Sequence, residues 1–116
     1  MSDLVAIPSK FLLPSAPTLW KYNLTLDQWV SMYVAQDGKC ALCRKTFTRN
    51  RLPCVDHNHW TGGVRGLLCS PCNYELGCLH DDADWLARAS GYLLNPTAKG
   101  LLDPLPIVQA KHRSKT

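Results

Sequence analysis

The 116-residue sequence predicts a small α+β fold: two short strands joined by a turn, a helix directly after them, and further helices on either side. Three observations carry that prediction. Two Cys-x-x-Cys pairs, Cys40-Ala-Leu-Cys43 and Cys69-Ser-Pro-Cys72, bracket one segment. Within it, two strand-like runs, Leu52 to His57 and Val64 to Leu68, flank the turn residues Trp60-Thr61-Gly62-Gly63. Apolar residues at helical spacing appear before and after it.

Taken in order, residues 1–22 hold Pro8, Pro14 and Pro17 among Phe11, Leu12, Leu13 and Trp20. Prolines this dense forbid a long helix, while the apolar content argues against a fully solvated tail. An extended arm is expected, packed on the domain or on a second copy. Residues 23–94 are expected to form the domain. Thr25-Leu26-Asp27-Gln28 has the form of a capping box, followed by Trp29, Val30 and Tyr33 on one face. Asp37-Gly38 ends that helix and turns the chain into the first cysteine pair. After the second strand, Pro71 suits the first turn of a helix through Cys72, Asn73, Glu75, Leu76 and Cys78. Asp81, Asp82 and Asp84 read as the cap and first turn of another helix, with Trp85, Leu86, Ala89, Tyr92 and Leu93 as its apolar stripe and Asn95-Pro96 as its stop. Residues 95–116 then form a Pro-containing tail with a basic end, Lys111-His112-Arg113-Ser114-Lys115.

The paired spacing places Cys40, Cys43, Cys69 and Cys72 where four thiolates can converge on one zinc ion. A redox dithiol would be expected as a single pair near a βαβ pattern, and a disulfide framework belongs with a secretory signal, which Met1-Ser2-Asp3-Leu4-Val5-Ala6 lacks. A closed sulfur site has no open position, so its part is to hold the fold, which a core of this size needs. Cys54 and Cys78 read as small buried apolar residues. No run of 18 apolar residues is present to span a membrane, and a cytoplasmic location is expected.

The formal charge of +4 is concentrated. Between Lys39 and Gly66 lie Lys39, Arg44, Lys45, Arg49, Arg51 and Arg65 against Asp56 alone, which points to a polyanionic partner and makes these six its candidate contacts. Arg65, on the second strand, could meet a phosphate as a bidentate fork.

Together these residues carry a family likeness. Cys40-Ala-Leu-Cys43, Val55-Asp56-His57-Asn58-His59, Gly63-Val64-Arg65-Gly66-Leu67-Leu68-Cys69, Cys72-Asn73 and Leu76-Gly77 resemble the phage recombination endonuclease VII family, within the His-Asn-His or ββα-metal nucleases. The likeness runs from about Leu24 to Tyr92. It implies a zinc-stabilised ββα-metal module in which Asp56 and Asn73 hold one magnesium or manganese ion and His57 is the general base toward the attacking water. It also implies activity on branched DNA, such as four-way junctions and mismatches, in recombination or packaging. One site cuts one strand, so a homodimer is expected.

The residue types suit that chemistry independently. A hard cation prefers oxygen ligands and leaves positions open for phosphate and water, and an imidazole is a suitable base at cellular pH. Asp56 and His57 are neighbours on a strand and would point to opposite faces, so a bend or bulge is needed for both to address one phosphate. The structural alternative for His57 is a zinc ligand or a satisfied buried histidine. His59 could orient phosphate, support the metal site or hydrogen-bond within the hairpin. His80 and His112 read as surface residues. The competing functions are a nicking or homing-type nuclease of the same fold, and a zinc-knuckle DNA-binding module without activity.

Overall fold

The computed structural model describes residues 8–79 and 81–108. The chain divides into two compact units, Met1–Asp81 and Asp82–Thr116.

The first unit opens with a single 3-10 turn, Lys10–Leu12, and a short helix α1, Ala16–Lys21. The expected extended arm is therefore coiled. Ser15 caps α1 by accepting from the Thr18 amide at 3.3 Å, and Pro17 sits in its first turn, where a missing N–H costs nothing. Pro17 permits this helix by standing at its start. Leu12 drops into the core. Residues 1–7 of the predicted arm lie outside the described residues.

Helix α2, Leu26–Ala35, begins at the capping box read from the sequence. The Thr25 amide donates to Gln28 Oε1 at 2.9 Å and the Gln28 amide to Thr25 Oγ1 at 3.1 Å. Its inward face buries Trp29 and Tyr33, whose rings stack at 5.6 Å, with Phe47 stacked on Tyr33 at 6.3 Å. The helix ends in two left-handed residues, Asp37 and Gly38. At Gly38 a Cβ would lie 3.0 Å from Tyr33 Oη, so both the positive φ and the ring demand glycine there.

Strands β1, Pro53–His57, and β2, Val64–Cys69, pair antiparallel, and helix α3, Ser70–Cys78, follows at once. Leu67, Leu68, Val55 and Cys69 complete the core with Leu12, Trp29, Tyr33, Cys40 and Phe47. Each large apolar side chain so buried contributes about 1.5–3 kcal/mol. The side chain of Gln36, just past α2, ties this core to β2: Nε2 donates to the carbonyls of Lys39 and Leu67, both at 2.8 Å, and Oε1 accepts from the Leu67 amide at 2.9 Å. Gly66 leaves room for that carboxamide, since a Cβ there would stand 3.0 Å from Gln36 Oε1.

In the second unit, α4 spans Ala83–Leu94. Asp82 caps it, Oδ1 accepting from the amides of Asp84 at 2.9 Å and Trp85 at 3.3 Å. Its predicted stripe is only half-buried at Trp85, Leu86 and Ala89, and Tyr92 and Leu93 are exposed. The basic end of the tail, residues 111–115, and His80 lie outside the described residues.

Candidate functional site

The first centre is made by two turns. After Gly38, the Cys40 amide donates to the Lys45 carbonyl at 3.0 Å and the Arg44 amide back to the Cys40 carbonyl at 3.0 Å, folding Cys40 and Cys43 over one point. Cys69 ends β2 and caps α3, and Cys72 stands one turn into that helix behind Pro71. The four sulfurs all lie within 4.8 Å of one another, with Cys43 Sγ and Cys69 Sγ 3.8 Å apart. Sulfurs at about 2.3 Å from a tetrahedral zinc are about 3.8 Å apart, so the cluster fits that ion.

The thiols feel one another. Burial works to raise the pKa of Cys40, but the amides of Cys69, Cys43 and Leu42 donate to its sulfur and bring it down to about 6. Burial first, then the neighbouring sulfurs, push Cys72 up to about 12. Four close thiolates need a cation to coexist, and a zinc ion held there would supply that charge. Cys54 is half-buried, its pKa raised by burial and by Cys69 and Cys40. Cys78, expected to be buried, is exposed, because α3 turns that edge outward.

The second centre grows from an irregularity in the hairpin. Asp56 pairs with Gly66, but the next residue, His57, pairs with Val64. The ladder therefore shifts between Asp56 and His57, where a bend or bulge is expected if both are to address one phosphate, and the extra residue is Arg65 on the opposite strand. Asp56, His57, His59 and Asn73 line one cavity of about 300 Å3, with Tyr22, Val55, Tyr74, Gly77 and Cys78 completing its wall. The His57 ring lies 5.0 Å from that of His59 and 5.5 Å from that of Tyr22.

Asp56 is 6 % exposed and is held by Arg65, with Nε at 2.7 Å from Oδ2 and Nη2 at 3.0 Å from Oδ1. Arg65 Nη2 also meets Asp81 Oδ1 at 2.8 Å, and Asp81 Oδ2 is 3.4 Å from His59 Nδ1. These bonds, Asp56 first and Asp81 second, raise the pKa of Arg65 still further. Arg65 hydrogen-bonding, with His59 in support, lowers that of Asp81.

Arg65, the candidate phosphate fork, is thus engaged by two carboxylates in this structure. Its place at the bulge points the guanidinium along its own hairpin. Of the other basic candidates, Lys39 leans toward Asp37 at 3.7 Å and Arg49 covers the Phe11 ring at 4.3 Å. Arg44 is exposed, and Lys45 and Arg51 are half-buried.

Asp81 is the residue that sequence reasoning misses. Its neighbours Asp82 and Asp84 suggest a helix cap, yet its φ of +50° sets it outside α4, and it bonds across 16 residues to Arg65 and 22 to His59. An acidic residue one short of a cap, in a chain with a lone arginine on the second strand, is the only signal.

The donor set beside His57 fits a hard divalent cation: a carboxylate and a carboxamide oxygen on one cavity wall. Each Asp56 oxygen has two lone pairs, so a carboxylate held by Arg65 retains acceptor capacity for a metal.

The class defined by fold and site is a small α+β protein whose four-cysteine cluster could hold zinc, beside a hairpin and helix that line a cavity with Asp56, His57 and Asn73. The profile of the recombination endonuclease VII family matches residues 15–95, and the chain belongs to that family. It is 39% identical over 97 residues to the Gene 59 protein of Mycobacterium phage L5, the match covering 82% of this chain and 59% of the relative. The Gene 59 protein of Mycobacterium phage D29 is 39% identical over 98 residues, with the same coverage. The chain thus spans 59% of the length of these relatives. No helix among the described residues is long and apolar enough to cross a membrane.

Proposed function

We propose that this chain is a metal-dependent DNA endonuclease of the ββα-metal type, acting on branched DNA such as four-way junctions and mismatches in phage recombination or packaging. The observation that carries the reading is the cavity that gathers Asp56, His57 and Asn73 in a chain of the endonuclease VII family. Asp56 and Asn73 would hold magnesium or manganese, and His57 takes the proton from the water that attacks phosphorus. A divalent cation bound there would supply charge stabilisation for the transition state and for the oxygen that leaves as the bond breaks. Arg65, itself braced by Asp81, fixes the orientation of the Asp56 carboxylate. His59, tied to Asp81, is placed to orient a phosphate oxygen. Zinc on Cys40, Cys43, Cys69 and Cys72 clamps the turn before the hairpin to the helix after it, and so sets the position of Asn73. Lys39, Arg44, Lys45, Arg49 and Arg51 supply the field that draws in the DNA backbone. A homodimer would pair two such sites across a branch.

The test is cleavage of a four-way junction and a linear duplex of the same sequence, in magnesium and in its absence. Magnesium-dependent cutting that favours the junction supports the reading. Equal cutting of both substrates replaces it with a nicking or homing-type nuclease, and binding without cutting with a DNA-binding module.

A further inference from the structure

The hairpin tip presents Trp60 to solvent with 84% of its surface exposed, although the core is short of large apolar side chains. An indole left outside forgoes the burial that makes tryptophan stabilising, so its place here calls for another reason. The tip is also built to be rigid. Asn58 Oδ1 accepts from the amides of Trp60 at 2.7 Å and Thr61 at 3.1 Å. The Asn58 amide donates to the Gly63 carbonyl at 2.8 Å, the Gly62 amide to the Asn58 carbonyl at 2.7 Å, and the Gly63 amide to Thr61 Oγ1 at 3.2 Å. Gly62, at φ +80°, closes the turn.

That rigid tip adjoins the cavity. Trp60 follows His59 directly and is three residues from His57, so its backbone lies within about 11 Å of His57 even along a straight chain. With a rise of about 3.4 Å per nucleotide, this is within about three nucleotides of a phosphate held at His57. Tyr74, 73% exposed on α3, offers a second aromatic surface on the cavity wall.

We propose that Trp60 is a stacking platform for an unstacked nucleobase next to the scissile phosphate, and that it contributes to preference for branched DNA. In continuous duplex both faces of each base are covered by neighbours. At a branch point or mismatch one face opens, and a preset indole can cover it at little entropic cost. The proposal rests on the nuclease reading above for its substrate, but its readout is binding.

The experiment places 2-aminopurine beside the branch point of a four-way junction and, as control, within a duplex of the same sequence. Binding is measured in the uncut His57→Ala background, with Trp60 retained or changed to Phe, Leu or Ala. With Trp60 present, the junction probe changes its fluorescence on binding. Trp60→Ala and Trp60→Leu are expected to abolish that change and weaken junction binding about ten- to hundredfold, with duplex binding within about twofold. Trp60→Phe should retain most of both. Leucine removes the π face while keeping an apolar side chain, so equal behaviour of the Leu and Phe variants overturns the proposal even if Ala unfolds the tip. Unchanged junction binding in Trp60→Leu overturns it as well, as does an equal loss on junction and duplex. If wild type cuts neither DNA with magnesium, the nuclease reading falls, while the fluorescence response still judges the stacking.

Discussion

Replacing Arg65 by methionine should expose how the hairpin bulge holds Asp56. The guanidinium makes two bonds to a carboxylate that is 6 % exposed, at 2.7 and 3.0 Å. Removing one partner of a buried pair costs about 3–5 kcal/mol, because the remaining charge is left in a poor solvent. The Arg65 side chain is 34% exposed, so water reaches part of the vacated space and the expected loss is nearer to about 2–3 kcal/mol. Asp56→Asn leaves Arg65 paired with Asp81 and should lose about 1 kcal/mol. The double variant no longer buries an unpaired carboxylate, so it should lose about 2 kcal/mol less than the two single losses combined. Urea denaturation of the zinc-loaded protein at pH 7 reads these values, provided the slopes agree among variants. A coupling below about 0.5 kcal/mol, the worth of an exposed pair, would refute the claim that this ion pair fixes the site.

Three further outcomes follow from other contacts. Stripping zinc with a strong chelator, or the change Cys69→Ser, should unfold the first unit, seen as loss of helical circular dichroism and of Trp29 fluorescence; retention of both would show that the four-cysteine cluster is dispensable. Gln36→Leu removes three hydrogen bonds and leaves the buried Leu67 amide without its partner, an expected cost of about 2–4 kcal/mol by urea denaturation, and a loss under about 1 kcal/mol would contradict the pinning role. Asp81 has its pKa lowered by Arg65, so its contribution is fully present above the ordinary carboxylate range and is lost as pH falls through the lowered value. Wild type and Asp81→Asn should therefore differ in urea midpoint at pH 7 and converge in acid, and a difference independent of pH would contradict the ion pair.

Much of the candidate site is legible in the sequence because its signals are local. The capping box at Thr25, the two cysteine spacings and the turn residues between the strands each act within a few residues, and the structure places elements there. The expectation of a bend or bulge at Asp56 combines strand geometry, in which adjacent side chains face opposite ways, with the family likeness that asks both to address one phosphate. That the extra residue is Arg65, on the opposite strand, depends on register, which no short pattern encodes. The role of Asp81 is hidden for the same reason, because its partners are set by tertiary packing. Helix α1 escapes the sequence reading through its prolines: counted as helix breakers, they obscure Ser15 and Pro17, a cap and first turn that favour a helix start. Cys78 escapes it because helical spacing gives a face but not what covers it.

If His57, in the cavity shared with Asp56 and Asn73, is the general base of phosphodiester hydrolysis, its loss must abolish cutting. Cleavage of a four-way junction by zinc-loaded wild type and by His57→Ala, in magnesium, with binding measured on the same DNA, tests it most directly. The account predicts cutting by wild type, a loss of at least about a hundredfold in the variant, and unchanged binding. Cutting by His57→Ala at the wild-type rate would contradict it.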